Sequence, residues 1–536
     1  MLDYIVIGGG AAGCVLAARL SENADTQVCL LEAGPGDSSA LVQCPAGLAV
    51  LPKTRQFNWR FETTPQPGLL GRRGYQPRGK VLGGSSSINA MIYIRGLPSD
   101  FDHWEAAGNA GWGWRDVLPY FLQAEGNSRG ADMWHGSDGP LQVRDLQQHD
   151  PLSDAFISAA VQAGHARNAD FNGHSMEGVG LYQVFQRNGA RCSAYQAYVA
   201  PHRDRPNLEV RTGAQVLRIV MEGTRATGVE VLQGGQRQVL TCRREVLLCA
   251  GALQSPQLLM LSGIGPGAHL QELGIAVQAD LPGVGQHLHD HPDVTVVHAL
   301  PRNDWGFGVS LPGLQRMARG AWEWQQHRTG PLTSNLAEAG GFIRSQPSEP
   351  EVDLQLHFLP GKQADHGRGH VWGHGFSCHV CVLQPQSRGQ LRLASPDPLA
   401  APLIDPQFLS HPDDVERLVR GVKKVRAILG QPALAQLGGV EPTDLAALRT
   451  DAELAHWVRG RADTIYHPVG TCRMGVGPQD VVDSQLRVHG VQGLRVVDAS
   501  VMPRITSGNT QAPTVMLAER AAALLHSSPV DVEAVV

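Results

Sequence analysis

The opening stretch of the chain, up to Glu32, restricts the fold more than any other part of it. Tyr4 to Ile7 is a short apolar run suited to a buried parallel strand, and Gly8-Gly9-Gly10-Ala11-Ala12-Gly13 follows directly. Cys14 to Leu20 then reads as helix, and Gln27 to Leu31 as a second apolar strand closed by Glu32. This is a βαβ unit with G-x-G-x-x-G at its first turn and an acid at the end of its second strand. Gly8 permits the tight turn, Gly10 lets a pyrophosphate approach the backbone, and Gly13 lets helix and strand pack closely. The helix N-terminus offers unpaired N–H groups and partial positive charge to phosphate. Glu32 can accept hydrogen bonds from a free ribose 2′-OH and would repel a 2′-phosphate. The unit predicts a dinucleotide site that disfavours NADP; a glycine-rich turn in an ordinary α/β domain is the plain structural alternative.

Strands of the same flavour return late, at Val246 to Ala250 and at Leu494 to Val497. A chain of 536 residues exceeds what one core usually serves, so two domains are expected, the first interrupted by the second. The stretch from about 296 to 459 has another character: His- and Gly-rich loops, alternating strands at Asp353 to Phe358 and Ser377 to Leu383, and helical text from Asp413 to Leu429. The expected class is α/β with an α+β second part. The boundaries read as 1–148, 190–295 and 460–536 for the nucleotide domain, with 149–189 and 296–459 for a substrate domain of mixed or antiparallel sheet flanked by helices. No internal repeat or low-complexity linker stands out.

Lys plus Arg is 45 and Asp plus Glu 50, a net charge of −5, which leaves no electrostatic footprint for nucleic acid. The nine cysteines are odd in number, and several sit in apolar runs, as expected of reduced core thiols. Cys378 and Cys381 have metal-like spacing, but no second C-x-x-C accompanies them and FSCHVCVL alternates like a strand, so no metal site is expected there. MLDYIVIGGG reads directly into structure without a basic leader, and no run of about 18 apolar residues suggests a membrane span. The expectation is a cytoplasmic protein, with peripheral contact to the inner membrane left open.

Three further segments share the chain with the nucleotide fingerprint. Gly79-Lys80-Val81-Leu82-Gly83-Gly84-Ser85-Ser86-Ser87-Ile88-Asn89 is one, and Gly251-Ala252-Leu253-Gln254-Ser255-Pro256 running on to Ser262-Gly263-Ile264-Gly265 is another. The last is Tyr466-His467-Pro468-Val469-Gly470-Thr471-Cys472-Arg473-Met474-Gly475, followed by Val497-Asp498-Ala499-Ser500 and Ser507-Gly508-Asn509-Thr510. In this order and spacing the chain resembles the glucose–methanol–choline (GMC) oxidoreductases over nearly its whole length, and within them bacterial flavin-dependent primary-alcohol dehydrogenases and choline dehydrogenases. The resemblance implies FAD rather than NAD, held by a domain of the p-hydroxybenzoate hydroxylase type. It assigns Gly8, Gly10, Gly13 and Glu32 to the ADP half and Val216 to the adenine. Gly84, Ser85 and Asn89 would meet the pyrophosphate and flavin edge, with Ala250, Asp498, Ala499 and Thr510 completing the cradle. Some members attach FAD through a histidine just before the motif's Asn; that position is Ile88, which has no nucleophile and implies noncovalent binding.

His467 is the expected catalytic residue. Oxidising an alcohol by hydride transfer requires its hydroxyl proton to leave, and imidazole, with an ordinary pKa of about 6.5, suits that task near neutrality. Asn509 occupies the second position of the family's pair, where an amide cannot act as base but can hold the alkoxide. The implied reaction is oxidation of a primary alcohol to an aldehyde with hydride passing to flavin N5, then electrons to a quinone or another acceptor. An O2-using oxidase and a choline dehydrogenase are the alternatives within the class, with Glu338 as a candidate acid for a trimethylammonium head or simply a packing residue. A lyase with structural flavin is the alternative outside it. His287, His289 and His291 fall at period two, which could suit metal, but the family reading is a structural or flavin-side loop with His287 in place of an Asn. His366, His370 and His374, set among glycines, read as a solvated lid.

Overall fold

The computed structural model describes residues 1–301, 305–363, 369 and 372–527. Along the chain, β1 (Leu2–Ile7), α1 (Ala11–Leu20) and β2 (Val28–Leu31) open the fold. After α2 (Pro98–Ala106), α3 (Pro151–Gln162) and β3 (Gly178–Leu181) come β4 (Leu208–Arg211), β5 (Ala214–Glu222), β6 (Arg225–Gln233) and β7 (Gln236–Leu248). Then follow α4 (Gly251–Leu261), β8 (Pro292–Leu300), α5 (Leu311–His327), β9 (Ala339–Ile343), β10 (Leu354–Leu359) and β11 (His374–Val382). The chain ends through α6 (Pro412–Leu429), β12 (Asp463–Thr464), β13 (Leu494–Val496) and α7 (Gln511–Ser527).

Two sheets organise these elements. In the first, β4, β2, β1, β7 and β13 lie side by side in parallel, so strands far apart in sequence complete one layer. Parallel strands covered on both faces must be apolar throughout, and Val28–Leu31 and Val246–Leu248 are fully buried for that reason. β7 is longer than the buried run in its sequence. Its polar first half, from Gln236 to Thr241, pairs antiparallel with β6 in a meander, and its second half joins β1. The sequence marks only the apolar half because the other faces water.

The second sheet is antiparallel, in the order β12, β8, β11, β10, β9, β3. Alternation gives it two unlike faces. Val294 and Val296, Leu354, Leu356 and Phe358, and Phe376, Cys378 and Val380 form a core with α3 and α6. The opposite face carries the polar Gln355, His357 and His379, and it roofs a cavity whose floor belongs to the first sheet. The class is α/β. No helix among the described residues is long and apolar enough to cross a membrane.

Candidate active site

A cavity of about 1310 Å³ runs from the first βαβ unit to the roof sheet. At one end its wall is mostly main chain. α1 starts at Gly10 with no side chain capping it and no acid in its first turn, and Gly10, Ala11 and Ala12 line the cavity. Gly13 lies behind that wall: a Cβ there would sit 1.9 Å from the Gly8 carbonyl oxygen. Gly84, at φ +55°, approaches so closely that its Cβ would lie 2.6 Å from Gly10 Cα. Glu32 is buried, accepting from the Gly9 amide at 3.0 Å and the Gly34 amide at 2.7 Å. Burial pushes its carboxyl up to about 7 despite those donors.

The remaining expected cofactor residues line the same cavity: Gly8, Ser85, Asn89, Val216, Ala250, Asp498, Ala499 and Thr510. Asn89 is committed within the wall, its amide donating to Gln511 Oε1 and its carbonyl oxygen accepting from Met91 N and Arg191. Arg191, buried, also donates to the Ser86 and Asn89 carbonyls and so anchors the Gly84–Ser87 turn; nothing in the sequence reading singled it out. Asp498 accepts from Ser255 Oγ at 2.6 Å and from the Gly251 and Ser500 amides, each at 2.8 Å, tying β13 to the start of α4. An uncapped helix start, a side-chain-free crossing of two glycine turns and Gln511 Nε2, which has no partner among the described residues, form a donor set suited to a pyrophosphate. The residues present therefore fit an extended flavin dinucleotide.

At the other end the wall is side-chain chemistry. His467 follows Tyr466, whose φ of 77° turns the chain into the cavity. The His467 amide donates to Asp290 Oδ1 at 2.8 Å, and Thr464 Oγ1 donates to the other oxygen of that carboxylate. Burial raises Asp290 to about 6. His291 Nε2 lies 3.0 Å from the Leu383 carbonyl, which can only accept, so that nitrogen carries the proton. Burial drives His291 down to about 3, so its ring is neutral and Nδ1 is a bare acceptor. The partner 3.0 Å away is His467 Nδ1, which must therefore be the N–H donor. His467 Nε2 is left as a lone pair directed at Asn509 Nδ2, 3.2 Å distant.

The amide of Asn509 is oriented by an equally directional chain. Tyr182 donates its hydroxyl proton to the Leu356 carbonyl at 2.6 Å, leaving its oxygen to face Gln355 Nε2 at 3.5 Å, and Gln355 Nε2 donates to Asn509 Oδ1 at 3.0 Å. Two main-chain carbonyls, of Leu356 and Leu383, thus fix the polarity of the whole constellation. Burial, then neighbouring His291, His357 and Arg78, holds His467 well below the ordinary imidazole range, so it is neutral and ready to accept a proton. His357 lines the cavity beside this pair. It is 3% exposed, and burial lowers it to about 4, only partly offset by its side-chain interaction with Asn509. The sequence reading missed Gln355 and His357, yet the alternation LQLHFL already places both on one strand face.

Several expectations need correction or refinement. His374 is not part of a solvated lid: it is buried at the start of β11, with Nδ1 against the Trp305 carbonyl at 3.0 Å and Nε2 against Ser310 Oγ at 2.8 Å. His366 and His370 lie outside the described residues. Glu338 does not line the cavity; it accepts from Ser334 and Ser153 hydroxyls and the Asp150 amide, which is packing chemistry. His287 sits at φ 60°, a left-handed position that favours Asn. His289 spends both ring nitrogens, on the His287 carbonyl and the Ile505 amide. Cys378 faces the hydrophobic core, whereas Cys381, three residues on, falls on the opposite face of β11. Among the described residues no group of three or more His, Cys, Asp or Glu could hold a metal ion. Ile88 is buried and lines the cavity.

Comparison with known proteins adds independent findings. Family models described as GMC oxidoreductase match residues 2–293 and 385–518. The chain is 46% identical over 528 residues to alcohol dehydrogenase [acceptor] of Pseudomonas putida, covering 98% of this chain and 96% of that protein. It is 44% identical to mitochondrial choline dehydrogenase of Mus musculus, covering 98% of this chain and 89% of that one. Among solved structures, pyridoxine 4-oxidase from Mesorbium loti superimposes with a TM-score of 0.89 at 32% identity, over 99% of this chain and 100% of that one.

Proposed function

Because this chain belongs to the GMC oxidoreductase family, an oxidoreductase family of flavoproteins, we propose that it is an FAD-dependent dehydrogenase converting a primary alcohol to an aldehyde. The observation that carries this reading is the bare Nε2 of His467 facing the amide donor of Asn509 across the cavity's inner end. FAD, when bound along the glycine turns, supplies the two-electron acceptor for the carbinol hydrogen. His467 Nε2 takes the hydroxyl proton, and the imidazolium that forms keeps its Nδ1–H on His291. Asn509 Nδ2, released from His467 by the arriving hydroxyl, donates to the developing alkoxide, with Gln355 holding the amide in that sense. His357, on the cavity wall beside Asn509, is a further hydrogen-bonding group for the substrate oxygen. The roof sheet keeps water from the reacting carbon.

Noncovalent FAD is supported by the apolar Ile88, and a quinone-type acceptor by the acceptor-linked relative from Pseudomonas putida. Residues 1–148, 190–295 and 460–536 are proposed as the FAD-binding part and 149–189 with 296–459 as the substrate part. The parallel sheet falls in the first set, while the ends of the roof sheet, at Pro292 and at Asp463–Thr464, reach across that division. Choline is a second reading, favoured by the 44% identical choline dehydrogenase but not by Glu338, which is consumed in packing. We further take the protein to be cytoplasmic.

Anaerobic addition of a panel of primary alcohols and choline to the yellow holoprotein tests this. Bleaching near 450 nm by an alkanol at rates above those with choline is expected, followed by reoxidation with a quinone and little peroxide in air. Fast reoxidation by oxygen would make it an oxidase. Absence of bleaching by any alcohol would point to a lyase and overturn the reading.

A further inference from the structure

The cavity opens beside α5, and that helix is turned the unusual way round. Its buried stripe consists of Gly313, Gly320 and Trp324 alone. At 100° per residue, Met317, Ala321, Leu314, Ala318, Leu311 and Trp322 fall in one arc of about 140°, interrupted only by Gln325, and every one of them is exposed. Leu311 is 79% exposed, Leu314 54% and Trp322 64%. Leu314 and Met317 also line the cavity, as does the 74% exposed Trp372. Leu399 and Leu403 form an apolar lip on the cavity wall as well, both largely exposed. Monomeric proteins rarely leave a contiguous apolar patch of this kind around a ligand entrance without a partner for it.

We propose that this face is a membrane-docking surface, with α5 lying in the headgroup region of an anionic bilayer and the cavity mouth opening onto it. The chemistry favours lipid over a protein groove. Exposed tryptophans beside an aliphatic arc are suited to the boundary between headgroups and acyl chains. Arg319 lies on the adjoining polar arc, and the exposed Lys53, Arg60 and Arg73 stand at the cavity wall against one exposed acid, Glu62, so the cavity mouth is locally basic although the whole chain carries −5. Glu323, on the same polar arc, is engaged by the Thr329 hydroxyl at 3.2 Å. Docked in this way, an apolar alcohol or a lipid-dissolved quinone passes between bilayer and cavity without crossing water. That advantage rests on the quinone acceptor proposed above; the surface itself does not.

The test is cosedimentation of the holoprotein with phosphatidylcholine vesicles, with and without roughly 30% phosphatidylglycerol. The holoprotein is expected to pellet with the anionic vesicles, about tenfold less with the neutral ones, and brominated acyl chains should quench its tryptophan emission. Leu311→Glu combined with Trp322→Glu, neither of which lines the cavity, should reduce pelleting about tenfold while turnover with a water-soluble dye acceptor stays unchanged. Wild-type protein that stays in the supernatant and shows no quenching would overturn the proposal. So would a double variant that pellets normally, or a wild-type dimer that the substitutions dissolve, which would give the face to a second copy. Quenching by brominated lipid uses unmodified protein, so a variant that fails to fold does not remove the test. Pelleting needs no substrate: an inactive preparation that binds vesicles sinks only the catalytic reading, and an active one that ignores them sinks only this surface.

Discussion

At the β1–α1 end of the cavity the wall is backbone, set by where side chains are missing; at the roof-sheet end it is a relay of side chains whose proton positions are dictated by two distant carbonyls. Gly13 packs on Gly8, and Gly84 on Gly10, at distances no Cβ tolerates. His467, Asn509, His291 and Gln355 come from four segments between residues 291 and 509, and each depends on the others for its hydrogen-bond direction. A backbone-built site fails as a whole when one atom is added. A relay built from side chains weakens by degrees, and its members are coupled.

That contrast can be broken by substitution. Gly13→Ala has the largest expected effect: a Cβ 1.9 Å from the Gly8 oxygen cannot be relieved by a side-chain rotation, so little folded, flavin-bearing protein should be recovered. A yellow, fully active Gly13→Ala protein would show that the turn is more compliant than its packing implies. Asn509→Ala should instead keep its flavin and lose about 10²- to 10³-fold in kcat, the usual cost of removing one donor to an oxyanion. Gln355→Leu should cost about tenfold, the worth of a directional hydrogen bond, and should add little when Asn509 is already alanine. Full additivity in that double variant would mean that Gln355 acts elsewhere.

The smallest effect is in the pH profile. Burial holds His467 below the ordinary imidazole range, so the neutral, functional form persists as pH falls. The acid limb of kcat/KM that belongs to His467 should then lie below about 6.5. A limb centred at or above the ordinary value would show that the ring is better solvated than the cavity geometry provides.

The two ends also differ in how much of them a single sequence discloses. The nucleotide end is local: Gly8 to Gly13 and Glu32 lie within one βαβ unit, and spacing alone conveys their roles. His467 and Asn509 emerged through resemblance, because nothing within either segment says that they meet. Gln355 and His357 stayed hidden, and His291 was read only as part of a structural or flavin-side loop, because their roles depend on strand pairing, which decides that Leu383 faces His291 and that Gln355 reaches Asn509. The first half of β7 was missed because water-facing polar residues carry no apolar signal. His374 misled because its glycine-rich neighbours suggested solvent, whereas it begins a buried strand.

The most direct measurement is anaerobic flavin reduction in His467→Ala, followed near 450 nm against the wild type with one primary alcohol. The variant should be yellow, with unchanged flavin content, and should bleach about 10²- to 10⁴-fold more slowly. Bleaching at the wild-type rate would contradict the account, because a carbinol would then be losing its proton without the imidazole.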